Sequence, residues 1–189
     1  MKKYTHSFMV ARFQPFHNGH KMIIDKMLKE SKYITIILGS AQESGTELNP
    51  LTPEQRLNLI INLYGERENM KIFFMNDLNC SKDAWYKHVL NFLKIHTPQF
   101  GFPDAYYCGD MVNGDYYNKG EFIIEVVNRE LQKGYFDISA TEVREMIRKG
   151  DNNWKHYIPK DNHILVEKYF KNLILNDNNK RNHNDNDKS

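Results

Sequence analysis

The sequence predicts an α/β fold, a parallel sheet with helices packed on both faces. Short apolar runs rich in β-branched residues alternate with helical patterns along most of the chain. Each run stops at glycine or a polar turn, as buried strands do. Strands alternating with helices argue a parallel sheet with right-handed crossovers. At 189 residues, with 40% hydrophobic and 26% charged residues, the chain is one domain's worth and long enough for a real core.

The elements follow in order. Phe8 to Val10 reads as a short strand, broken over Arg12 to Pro15. Lys21 to Lys29 reads as a helix with Met22, Ile23, Met27 and Leu28 on one side. Tyr33 to Leu38 is a second strand ending at Gly39, and Ser40 to Leu51 is a loop. Thr52-Pro53-Glu54-Gln55 starts a helix, with a Thr cap, Pro at the first position and Gln three after the cap. That helix runs to about Leu63 and ends at Gly65. Ile72 to Met75 is a third strand, and Asp83 to Ile95 a helix whose apolar face carries Trp85, Val89, Phe92 and Leu93. Ala105 to Cys108 is a fourth strand halted by Gly109-Asp110, and Glu121 to Val127 a fifth. Residues 1–175 form one domain, helical at its C-terminal end from about 139. Asn176 to Ser189 has no apolar residue to offset its ordering entropy and reads as a disordered polar tail.

Composition narrows the function. A net charge of +2 is too balanced for a dedicated nucleic-acid binder. No apolar run reaches the length that spans a membrane, and the charged N-terminus lacks a signal core. Cys80 and Cys108 lie far apart, outside any C-x-x-C pair, and read as structural thiols of a reduced, cytoplasmic protein. Oligomeric state is left open, a homo-oligomer included.

In sheets of this kind ligands bind beyond the carboxyl ends of the strands, where the loops at Arg12, Ser40, Asp77 and Gly109 fall. The first of these loops holds most of the chemistry. His17 and His20, three apart, share one face where a strand turns into a helix. A helix N-terminus offers unpaired N–H groups and a positive dipole end, both suited to phosphate. Gly19 allows close backbone approach, and Arg12 adds a fork of donors for phosphate oxygens. Two histidines at this spacing are more often ordinary surface or core residues; the surrounding string weighs against that. A second stretch, Asp137 to Arg144, repeats the physics. Ser139 and Glu142 make a capping box, with the Ser139 and Thr141 hydroxyls at the helix start and Arg144 one turn on. Capping boxes are common where nothing binds, and a cap and a phosphate site are compatible.

The string Arg12-Phe13-Gln14-Pro15-Phe16-His17-Asn18-Gly19-His20 resembles the R-[FM]-Q-P-F-H-x-G-H motif of archaeal-type nicotinamide-nucleotide adenylyltransferases, within the H-x-G-H nucleotidyltransferase superfamily. Ile138 to Arg144 resembles the I-S-x-T-x-x-R motif that accompanies it, and Gly39-Ser40-Ala41-Gln42 with Asn49-Pro50-Leu51-Thr52 and Arg56 resembles a third segment of the same enzymes. The departures are Ala11 for a usual Gly, Leu48 for a basic residue and Asp110 for a usual Asn. The resemblance, over roughly residues 6–160, implies a Rossmann-like nucleotidylyltransferase fold and adenylyl transfer from ATP to nicotinamide mononucleotide (NMN). It implies His17, His20, Arg12 and Arg144 as catalytic residues. Phe13, Gln14, Gly19, Gly109, Ser139 and Thr141 would bind ATP, and Ser40, Asp77 and Trp85 NMN. Trp85 suits a pyridinium as a cation–π platform, although its spacing fits a core residue equally. Arg56 reads as part of a well-capped helix, not as a catalytic group. No metal-ligand cluster shows in the sequence, so Mg²⁺ is expected to arrive with ATP. The competing readings are a pantetheine-phosphate adenylyltransferase, a cytidylyltransferase acting on a phosphoalcohol, and a non-catalytic nucleotide sensor.

Overall fold

The structure, a computed structural model, describes residues 1–128 and 138–171. The expected 176–189 tail and Asp137 lie outside the described residues. Five parallel strands form one sheet: β1 (Tyr4–Ala11), β2 (Ser31–Leu38), β3 (Met70–Phe74), β4 (Ala105–Cys108) and β5 (Ile123–Val126), in the order β3-β2-β1-β4-β5. The helices are α1 (Asn18–Glu30), α2 (Pro53–Tyr64), α3 (Lys82–His96), the single turn α4 (Met111–Gly114) and α5 (Ala140–Arg148), followed by short 3₁₀ turns and helical residues 163–171.

Strand order sets the site. The chain lays β1, β2 and β3 outward in one direction, then returns to place β4 on the other side of β1. The reversal between β1 and β4 opens a crevice at their carboxyl ends, where Arg12 and Gly109 emerge. Alternating side chains separate two cores. Met9, Ile34, Ile36, Leu38 and Tyr107 pack with α1, α2 and α5 on one face. Phe8, Ile37, Tyr106 and Cys108 pack with Tyr86, Val89 and Leu93 of α3 on the other.

The expected strands are all present: β1 and β2 start earlier than expected, β3 starts earlier but stops at Phe74, β4 matches, and β5 is shorter at both ends. β1 begins at Tyr4 rather than Phe8 because its polar residues find partners inside: Ser31 donates to Ser7 at 2.7 Å, and His6 lies fully buried. His6 Nδ1 donates to the Gly101 carbonyl at 2.8 Å, which leaves Nε2 to accept from the Thr35 hydroxyl at 2.9 Å. Burial lowers the His6 pKa from its ordinary 6.5, against the opposing pull of the Gly101 carbonyl and Asp104. The unfolded chain therefore takes up this proton first, so stability present above pH 6.5 falls as pH drops toward the lowered folded value. His6→Leu should cost about 1–3 kcal/mol at pH 8 by orphaning the two partners. Urea unfolding at pH 8 and 5.5 should show that penalty shrinking at the lower pH; a constant penalty would remove the linkage. On edge strand β5, burial pushes the Glu125 carboxyl up. Hydrogen bonds from Lys3, Tyr4 and Lys26 outweigh this and bring it down to about 2, tying β5 to β1 and α1.

Of the thiols, Cys108 is buried and pushed up to about 11 by that burial, as a structural thiol should be. Cys80 is exposed and does not fit the structural reading, because it lies in the polar turn before α3 rather than on an apolar face. Among the described residues no helix is long and apolar enough to cross a membrane.

Candidate active site

A cleft of about 650 Å³ sits over the β1/β4 switch point. It is lined from the loop after β1 by Arg12, Phe13 and Gln14, from the head of α1 by His17 and His20, and from the loops after β2 and β3 by Ser40 and Asp77. Trp85, Gly109, Ser139, Thr141 and Arg144 line the remainder. Of the residues expected at the site, Gly19 alone is absent from this lining.

The start of α1 departs from expectation in an informative way. The helix begins at Asn18, with His17 as its cap. The Gly19 N–H donates to His17 Nδ1 at 3.1 Å, and the His17 N–H donates to His20 Nδ1 at 3.3 Å, a capping box built from two imidazoles. The Asn18 N–H donates to the Tyr157 carbonyl at 2.8 Å. Two amides at this helix start, those of Asn18 and Gly19, are thus already bonded within the protein. The imidazoles take their place. With each Nδ1 accepting from an amide, each neutral ring carries its proton on Nε2 and presents a donor there. The rings lie 3.8 Å apart, and Phe13 packs on His20 at 4.6 Å with Phe16 behind it at 5.8 Å.

Phe13 is itself only 1% exposed, so its ring seats His20 rather than facing solvent. Gln14, expected at ATP, has its side-chain amide engaged in both directions by the Leu51 backbone, at 2.9 and 2.8 Å. What Gln14 offers near the cleft is its carbonyl, and this accepts from Arg144 at 2.7 Å.

Arg144, expected at the phosphates, is buried. It is 3% exposed, fixed by the Gln14 carbonyl and by Thr141 Oγ1 at 3.1 Å. Burial, then repulsion from Arg12 and Arg148, draws its pKa down. A buried cation near other cations is the electrostatic signature of a place for an anion. The capping box at the head of α5 is present: Ser139 Oγ accepts from the Glu142 N–H at 3.2 Å, and the Glu142 carboxylate accepts from the Ser139 N–H at 2.8 Å. The box uses neither the Ala140 nor the Thr141 amide.

Across the cleft, Asp77 accepts from the Ser40 N–H at 3.1 Å and from its hydroxyl at 2.6 Å. Ser40 holds a left-handed φ of 50°, as Phe13 does at 54°, and such backbone in non-glycine residues clusters at functional sites. Trp85 is half-buried and donates its indole N–H to the Tyr117 hydroxyl at 3.0 Å. It belongs to the cleft and to the core together.

The pattern of residues 8–146 is that of the cytidylyltransferase-like family. The chain belongs to that family. Within it the chain is 31% identical over 156 residues to the nicotinamide-nucleotide adenylyltransferase of Methanococcus vannielii, covering 82% of this chain and 84% of the relative. It is 32% identical over 158 residues to the Picrophilus torridus protein of the same name, covering 81% and 85%. The fold is shared with the bifunctional NMN adenylyltransferase/ADP ribose pyrophosphatase of Francisella tularensis, solved with AMP and a manganese ion. The TM-score is 0.72 at 23% identity over 93% of this chain, which spans about half (53%) of that longer protein. The nicotinic acid mononucleotide adenylyltransferase of Plasmodium falciparum shares it at a TM-score of 0.52 and 16% identity, covering 91% and 96%.

Two residues beneath the cleft are not in the expected site set. Arg56, which the sequence places in the third resembling segment but reads as part of a capped helix, is fully buried and bonds three strand-end carbonyls. The available signal was its spacing, three and four residues before the apolar Leu59 and Ile60 on the same face. Asn18 ties α1 to the C-terminal segment through its amide, which donates to the His156 carbonyl at 2.9 Å. No local pattern announces a contact across that much sequence.

Proposed function

We propose that the protein transfers the adenylyl group of ATP to nicotinamide mononucleotide, giving NAD and pyrophosphate. An oxygen of the NMN phosphate attacks the α-phosphorus of ATP. The bond from that phosphorus to the bridging β-oxygen breaks, and pyrophosphate leaves with the electron pair. The attacking group is a phosphate anion at neutral pH, since its second pKa is about 6, so neither a general base nor a covalent nucleophile is required. Catalysis is positioning and stabilisation of charge.

One observation carries the reading: two imidazoles with Nε2 as donor and two arginines line a single cleft at the strand switch point. His17 and His20 donate to the α- and β-phosphate oxygens, and Arg12 and Arg144 hold the phosphate chain. Ser139, Thr141, Phe13, Gln14, Gly19 and Gly109 shape the ATP side, with Gln14 and Gly19 acting through the cradle they brace. Ser40, Asp77 and Trp85 form the NMN side, the indole stacking on the pyridinium and the carboxylate accepting from the nucleotide's N–H or hydroxyl groups.

Among the described residues no three His, Cys, Asp or Glu side chains stand together as metal ligands. Mg²⁺ would arrive with the triphosphate and offset the charge of the phosphates. The test is turnover with ATP and magnesium against NMN, nicotinate mononucleotide and phosphopantetheine, with a parallel CTP and phosphocholine reaction. NAD formation with NMN at kcat/KM at least tenfold above the phosphopantetheine and phosphocholine reactions is expected. Preference for either of those acceptors would replace the reading with a sister activity of the family.

A further inference from the structure

We propose that Arg56 is a positioning residue for the reaction, aiming the strand-end peptides of Arg12 and Ser40 from beneath the cleft. The inference rests on the adenylyl-transfer reading for the identity of the ligands, though not for the geometry.

Arg56 lies on α2, is 0% exposed and does not line the cleft. Its guanidinium donates to four carbonyls: Arg12 at 3.0 Å, Gly39 at 2.7 Å, Ser40 at 3.2 Å and Thr52 at 3.4 Å. The first three belong to the ends of β1 and β2, just past the last ladder pair Ala11↔Leu38, where the two strands no longer satisfy each other. No carboxylate forms an ion pair with Arg56 among the described residues, so carbonyl dipoles hold this buried cation.

The consequence lies on the other side of each peptide. A trans peptide points its C=O and N–H in opposite directions. With the Gly39 carbonyl drawn onto Arg56, the Ser40 N–H faces away from it, onto Asp77 Oδ1. With the Ser40 carbonyl drawn the same way, the Ala41 N–H faces the Met75 carbonyl, joining the β2 and β3 ends at 3.1 Å. The left-handed φ of Ser40 is thereby held from both sides. The Arg12 carbonyl fixes the peptide leading into Phe13, whose ring seats His20. One planar fork thus orients the backbone under the Ser40–Asp77 pair and under Arg12 together. A lysine ammonium, a point charge on a flexible stem, cannot meet the same three carbonyls in one plane.

The test compares Arg56→Lys with Asn162→Ala. The latter removes a buried bond to the Leu59 carbonyl of the same helix from a residue that does not line the cleft. Both variants should stay folded, with modest losses of melting temperature. For Arg56→Lys, kcat/KM for NMN should fall on the order of 10–100-fold, as expected when groups near the chemistry shift by an ångström or less. Asn162→Ala should keep kinetics close to those of the original protein. Equal kinetics in both variants would overturn the proposal and leave Arg56 as a stabilising residue alone. Hydrogen exchange of the full chain gives a readout independent of turnover. The Ser40 and Ala41 amides should exchange faster in Arg56→Lys and not in Asn162→Ala. If the original protein transfers no adenylyl group, the functional reading fails by itself and the exchange data still decide this inference: unchanged Ser40 and Ala41 protection overturns it.

Discussion

His20→Ala should lower kcat by on the order of 10²–10³, about 3–4 kcal/mol of transition-state stabilisation, with the apparent affinity for NMN changing much less. The argument is geometric. His20 Nδ1 accepts from the His17 N–H, so the neutral ring carries its proton on Nε2, the donor proposed to meet the phosphates as charge builds in the transition state. The substitution also removes half of the imidazole capping box, which adds about 1 kcal/mol of lost stability. His20→Gln separates the two effects. Its side-chain oxygen keeps the acceptor for the His17 N–H, as glutamine does in an ordinary capping box, while its amide restores a donor near Nε2. Stability should return fully and kcat in part. Steady-state kinetics with thermal melts on both variants decide it; a near-normal kcat in His20→Ala would remove His20 from the chemistry.

Arg144→Ala should raise KM for ATP, lower kcat, or both, with kcat/KM falling on the order of 10–100-fold, the worth of a hydrogen bond to a charged group. Its fold will not be untouched. The substitution orphans the Gln14 carbonyl, a loss of about 1–3 kcal/mol. Arg144→Lys is the sharper variant, because it keeps the charge and loses the bidentate fork. Ser139→Ala should cost about 1 kcal/mol by removing the cap on Glu142. ATP titrations on Arg144→Lys against the original protein, with thermal melts on both and on Ser139→Ala, settle the matter. Identical ATP kinetics would leave Ser139 to Arg144 as a helix start and nothing more.

What was legible in this sequence was periodicity and local chemistry. The five strands, the helices between them and both capping boxes at Thr52 and Ser139 follow from patterns a few residues long. Strand ends were read short wherever polar residues are satisfied at a distance, as at His6, whose partners are Thr35 and Gly101. The same limit hid the burial of two arginines, although the motif had already marked Arg144. Arg56 and Arg144 sit in helices beside other polar residues, and only the folded chain brings carbonyls from other elements onto them. The head of α1 shows the same limit from the other side. A helix start suggests unpaired amides for phosphate, but the Gly19 amide is bonded to His17, two residues away. Local rules name the groups present; the fold decides which of them are still available.

The central claim is that this cleft moves an adenylyl group directly onto a mononucleotide phosphate. Purified protein given magnesium, NMN and ATP labelled at the α-phosphorus tests it. The account predicts label in NAD, with one unlabelled pyrophosphate released for each NAD formed. Binding of both nucleotides with no labelled dinucleotide would contradict it and make the protein a sensor built on the same fold.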